Sequence, residues 1–131
     1  MPSTSTRLRV RYAETDRMGV VYYAHYFVWF EVARAELLRT LGWTYREMEE
    51  NGVSLPVIEA HCEYLRPARY DDEIEVRARG RLRSVVRMEF EYQVTIAGQS
   101  QIAATGRTVH AALAPGGRPC RLPDRIREVF A

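Results

Sequence analysis

The stretch from Val20 to Gly42, VVYYAHYFVWFEVARAELLRTLG, constrains the chain more than any other. Its second half is rich in helix-favouring residues, and Gly42 stands where a C-terminal helix cap belongs. Its first half is apolar or aromatic on nearly every face, the mark of a helix buried all round. A long buried helix in a chain of 131 residues needs a sheet broad enough to wrap it.

The remaining segments supply that sheet. Residues 7–12, RLRVRY, alternate charged and apolar side chains and predict a strand; residues 13–19 break the alternation and predict a loop. Residues 1–6 are expected to be a loose end. A short helix is expected over 44–50, then a strand within 53–66, with Pro56 marking an edge or a bulge near its start. Residues 73–83 place Ile74, Val76, Ala78, Gly80 and Leu82 on one face, and residues 87–96 do the same with Met88, Phe90, Tyr92, Val94 and Ile96. Gly98 falls in a hairpin turn, 101–113 returns as a strand, and a last helix is expected over 123–130. One helix followed by a run of antiparallel strands predicts a single α+β domain over 1–131.

Composition removes several functions. All nineteen basic residues are Arg, so a Schiff-base lysine and a phosphate-binding loop that needs Lys are both excluded. The net charge of +2, with no reader motif, argues against nucleic-acid binding, yet suits a small phosphorylated ligand. Cys62 and Cys120 form no CxxC, and His25, His61 and His110 have no metal-ligand spacing. Met1–Thr6 is short and polar, unlike a signal peptide, and no apolar run reaches a membrane span. The expectation is a reduced, cytoplasmic protein without metal or organic cofactor.

Chemistry concentrates before the long helix. Asp16 lies in the loop, and the helix is expected to begin near Tyr22 or Tyr23. A helix start carries unpaired N–H groups and partial positive charge, which can polarise a carbonyl. A carboxylate beside it can attack that carbonyl or activate a water. Gly19 would let the backbone turn tightly and a ligand approach. Taken alone, an Asp in such a loop is more often a turn former.

The longer string RYAETDRMGVVYYAHYFVWFEVARAELLRTLG closely resembles the signature of the 4-hydroxybenzoyl-CoA thioesterase branch of the hotdog-fold superfamily, and of the related Tol–Pal-associated acyl-CoA thioesterases. The matching elements are Asp16, Gly19 to Tyr23, Tyr26, Glu31-x-x-Arg34 and Leu37-Leu38. A second stretch, Tyr64-x-x-Pro67-Ala68-x-Tyr70-Asp71-Asp72, matches at the expected distance. The resemblance implies a hotdog fold, an antiparallel sheet wrapped around one helix, with two protomers joining their sheets and active sites at their interface. It implies an acyl-CoA or acyl-carrier-protein substrate and a homodimer or homotetramer. Asp16 would be the catalytic carboxylate, and the Tyr23 N–H would bind the thioester oxygen.

Relatives differ at the position of Tyr23, some carrying His there; here His25 comes two residues later, as a hydrogen-bonding site residue or as packing in the helix. Gly19, Val20, Tyr22 and Tyr26 are expected around the substrate, with Ser54 on a stretch that lines the acyl pocket in relatives. Ser54 lacks the second Gly of a nucleophile elbow, because Pro56 stands there. Among Arg77, Arg79, Arg81, Arg83 and Arg87, mostly a solvated sheet face, Arg83 is the candidate for a coenzyme A phosphate. Glu31 is expected to pair with Arg34 across one helical turn. Arg118, Arg121, Arg125 and Arg127 are expected as an exposed basic tail. Two rival functions remain: a hotdog hydratase or dehydratase, which would need His25 beside Asp16, and a non-catalytic acyl-CoA sensor.

Overall fold

A computed structural model describes residues 1–131. In chain order the elements are strand β1 (Ser3–Arg9), a 3-10 turn (Tyr12–Glu14), helix α1 (His25–Thr40), helix α2 (Tyr45–Glu50), strands β2 (Val57–Tyr64), β3 (Glu73–Leu82), β4 (Arg87–Ile96) and β5 (Ile102–Ala111), and helix α3 (Asp124–Phe130). The five strands form one antiparallel sheet in the order β1-β3-β4-β5-β2.

The alternation in β3 and β4 does what its period requires. Ile74, Val76, Ala78, Met88, Phe90, Tyr92, Val94 and Ile96 are all buried beneath the helix, while Arg77, Arg81 and Gln93 are exposed. Helix α1 lies across β1 and β3 and buries Tyr26, Trp29, Phe30, Ala33, Leu37 and Leu38. Phe30 stacks on Tyr92 at 4.3 Å between ring centroids. That approach depends on Gly106 of β5: a Cβ there would stand 2.4 Å from the Phe30 ring and 2.9 Å from the His61 carbonyl oxygen. Pro56 precedes β2, an edge strand with a register shift between Val57 and Glu59, as the sequence predicts.

Several expectations need correction. Residues 3–6 are not a loose end: Ser3 to Thr6 pair with Arg79 to Val76. Their Ser and Thr side chains fit an edge strand without giving an apolar signal. Helix α1 begins at His25, because Tyr22 and Tyr23 form a tighter turn in which their carbonyls accept from His25 and Tyr26. The chain does not enclose the helix on every side. The sheet covers one side, and Val28 and Val32 face out. Glu31 makes no ion pair with Arg34; the Arg34 Nε donates instead to the Tyr45 hydroxyl at 3.1 Å. The C-terminal arginines are not all free, since Arg125 donates to the Leu41 carbonyl and Arg127 to that of Leu122.

Candidate active site

The loop from Glu14 to Tyr22 is a small closed hairpin. The Tyr22 N–H donates to the Glu14 carbonyl (2.8 Å), Thr15 bridges Val21, and the Asp16 N–H donates to the Val20 carbonyl (2.9 Å). Gly19, at φ 78°, makes the turn at its tip and donates to the Asp16 carbonyl. The Asp16 carboxylate is half-buried. Its Oδ1 accepts the Met18 N–H at 2.8 Å, a bond that fixes the side chain, while Oδ2 takes no hydrogen bond from the chain. Asp16 is therefore both a turn former and a carboxylate with a free oxygen.

Across from it, Tyr23 precedes α1. The N–H groups of Tyr22 and His25 are taken, whereas the Tyr23 N–H has no acceptor in the chain. The Tyr23 backbone is held from its other side, where the Tyr64 hydroxyl donates to the Tyr23 carbonyl at 3.0 Å. Asp16, Val20, Val21, Tyr23, Tyr26, Tyr64, Leu65, Arg66 and Pro67 line one cleft of about 330 Å³. An unused carboxylate oxygen and an unused helix-start N–H thus border a largely apolar cavity. Desolvation holds the Tyr26 and Tyr64 phenols above their ordinary range.

Of the residues expected from the sequence, the cleft gathers Asp16, Val20, Tyr23 and Tyr26. Gly19 lies at the loop tip, exposed. Tyr22 is exposed and packs against Tyr23 and, edge-on, against the His25 ring at 6.2 Å. His25 stands outside the cleft lining, with its Nδ1 buried and unpartnered. Ser54 bridges Leu113 beside a separate depression, away from Asp16. Arg83 is on the outer face, sharing the buried Glu89 carboxylate with Arg81 and Arg107. Sequence reasoning missed Tyr64, Leu65 and Arg66 as cleft residues, although Tyr64 and Pro67 stand in the second motif quoted above.

A profile for the thioesterase-like superfamily matches residues 10–130. The chain belongs to that superfamily. Among solved structures, this superfamily member is similar to a DHNA-CoA thioesterase from Staphylococcus aureus, with 32% identity, a TM-score of 0.88, and coverage of 93% of this chain and 82% of that one. A hypothetical protein from Thermus thermophilus is 36% identical with a TM-score of 0.89, covering 98% of each chain. The acyl-CoA thioester hydrolase YbgC of Escherichia coli is 39% identical over 70 residues, which is 53% of this chain and 52% of YbgC. The α+β architecture, one long helix on a five-stranded antiparallel sheet, is the hotdog fold, and the chain is a thioester hydrolase of that fold.

Proposed function

We propose that this thioesterase hydrolyses an acyl-CoA thioester to a free carboxylic acid and coenzyme A through Asp16 and the Tyr23 N–H. The observation that carries the reading is their placement on one cleft, each with its reactive atom unused by the chain. The thioester oxygen sits against the Tyr23 N–H and the start of α1, where negative charge developing on it is stabilised. Asp16 Oδ2 either adds to the carbonyl carbon, giving an anhydride that water then opens, or takes a proton from a water that adds in its place. In both routes the C–S bond breaks and coenzyme A leaves as a thiolate, which needs no strong general acid. The names of the Staphylococcus aureus and Escherichia coli relatives support a coenzyme A thioester as substrate. His25 outside the cleft lining disfavours the hydratase reading, which requires a His beside the carboxylate.

The same proposal includes a homodimer. Edge strand β2 leaves Val57, Ile58 and Tyr64 exposed, with Leu65 beyond its end, and α1 exposes Val28 and Val32. A second protomer pairing along β2 would cover this apolar surface, continue the sheet and close the open side of the Asp16 cleft. No helix is long and apolar enough to cross a membrane, and the reading assigns the enzyme to the cytoplasm.

The test is release of free thiol from aryl-, short- and long-chain acyl-CoAs, followed with a chromogenic reagent, with Asp16→Asn in parallel. Turnover that collapses in the folded variant supports the reading. Wild-type turnover that persists in the variant removes Asp16 from its role, and no release from any thioester removes the hydrolase reading.

A further inference from the structure

The acidic residue buried most deeply beside the site is Glu14, which is 4% exposed. It contributes nothing to the cleft lining, and no step above uses it. Its carboxylate is nonetheless ionically and sterically placed. Oε1 accepts the Arg11 N–H at 2.8 Å, Oε2 accepts the Trp29 indole N–H at 3.0 Å, and Arg11 Nη2 stands 3.6 Å from Oε2. Trp29 is on α1 and is itself buried. The backbone of the same residue closes the Asp16 hairpin, because the Glu14 carbonyl accepts the Tyr22 N–H.

Glu14 therefore joins two bodies. Its carbonyl is bonded to the base of the hairpin that carries Asp16, and its side chain is bonded to the helix whose start presents the Tyr23 N–H. It also occupies Tyr22's N–H, so that Tyr23's is the next one left open. We propose that Glu14 is a positioning residue, which sets the Asp16 carboxylate against the Tyr23 N–H by anchoring the hairpin to α1 through Trp29. The inference rests on the hydrolytic reading of the cleft.

The chemistry of the anchor makes it separable from simple packing. A carboxylate is acceptor-only and can take both N–H groups; a carboxamide has one acceptor oxygen and must turn an NH₂ toward the other donor. Glu14→Gln keeps the volume and breaks one of the two bonds. Trp29→Phe keeps the carboxylate and its bond to Arg11 but frees it from α1. A misplacement of about 1 Å at the reacting groups is enough to cost roughly a hundredfold in rate. An anchor of this kind acts on the chemical step, so the loss belongs in kcat with KM little moved.

The experiment measures kcat and KM on the best acyl-CoA of the panel for wild type, Glu14→Gln and Trp29→Phe, well below each thermal midpoint. Thr108→Val serves as a destabilised control, since it removes a buried hydroxyl that does not line the cleft. We expect kcat to fall roughly ten- to a hundredfold in both anchor variants, with KM within about twofold and with Thr108→Val unchanged in both constants. If Glu14→Gln does not fold, Trp29→Phe alone decides. Unchanged kcat in a folded anchor variant, a loss confined to KM, or an equal loss in Thr108→Val would overturn the proposal while leaving the hydrolytic reading intact. A wild type that releases no thiol would instead overturn that reading, and the positioning role with it.

Discussion

Around His110 every polar atom has a partner inside the chain, whereas beside Asp16 the chain leaves a donor and an acceptor open. His110 is wholly buried on β5. Its Nδ1 lies 2.9 Å from the Leu55 carbonyl, which can only accept, so Nδ1 carries the proton. Nε2 is then the acceptor and takes the Thr108 hydroxyl at 2.8 Å. The Thr108 oxygen in turn accepts from the Tyr92 hydroxyl at 2.6 Å. This chain of directed bonds has one arrangement, in which every donor is used. At the loop, by contrast, Asp16 Oδ2 and the Tyr23 N–H border a cleft without a partner from the chain. Burial explains the difference. An open polar group deep in the core costs about 1–3 kcal/mol, while one at a cleft is solvated until a substrate replaces the water. Substitutions in the two regions should accordingly change different observables.

The largest expected effect is kinetic. Asp16→Asn keeps an oxygen for the Met18 N–H but loses the charge, so kcat should fall about a hundred- to ten-thousandfold. The thermal midpoint should hardly move, by about 0.5 kcal/mol in stability, because the isosteric amide keeps the bond to Met18 and the other oxygen faces a solvated cleft. Thiol-release kinetics and calorimetry on the same sample check both halves. A large drop in stability would erase the contrast between the regions.

The next effect is thermodynamic and depends on pH. Burial is the main cause that pushes the His110 imidazole down to about 4, against a smaller opposing effect of its bond to Leu55. The unfolded chain binds that proton near pH 6.5. Between about 6.5 and 4 the unfolded state therefore holds more protons than the folded one, so stability rises with pH across that window. The contribution is fully present above about pH 6.5 and is lost as pH falls toward 4; at about 1.4 kcal/mol per pH unit it amounts to a few kcal/mol. Urea unfolding at pH 5 and pH 7 should show this slope in wild type and a shallower one in His110→Gln. Equal slopes would mean that His110 is not the group responsible.

Thr108→Val should cost about 1–3 kcal/mol, because it leaves Nε2 of His110 without a donor and Tyr92 without an acceptor. Denaturant midpoints measure this. The specific activity of the folded fraction should be retained, and a lower activity would show that the core network and the cleft are coupled.

The two regions also differed in how much of them could be read from the sequence. The strands β3 and β4 declare themselves because their partners lie within a hairpin and their burial follows a period of two. Asp16 and Gly19 sit in a local spacing, and the turn they make is a local event. What escaped reading is non-local. Glu14 finds Trp29 fifteen residues on, and Tyr64 reaches the Tyr23 carbonyl across forty-one, distances at which no helical or strand rule applies. Arg34 is expected to pair with Glu31 across one helical turn, but its Nε donates to the hydroxyl of Tyr45, eleven residues on, a contact that no helical spacing predicts. The Ser and Thr residues that begin β1 carry no apolar alternation, so only their pairing with β3 reveals them.

Tyr64→Phe tests the boundary between the two regions and should give the smallest effect. The hydroxyl donates to the Tyr23 carbonyl from the exposed end of β2, so the carbonyl can turn to water when the donor is lost. Stability should change by no more than about 0.5 kcal/mol. The kinetic effect should be larger in proportion, a fall in kcat of roughly three- to tenfold, because the bond steadies the residue whose N–H is proposed to bind the thioester oxygen. Tyr64 also lines the cleft, but the phenyl ring that makes the wall survives the substitution, so KM should stay within about twofold. Kinetics of the variant on the same acyl-CoA decide between a wall and an anchor. A loss in KM alone would make Tyr64 only a surface of the pocket, and no kinetic change would mean that the start of α1 holds the Tyr23 N–H in place without help from β2.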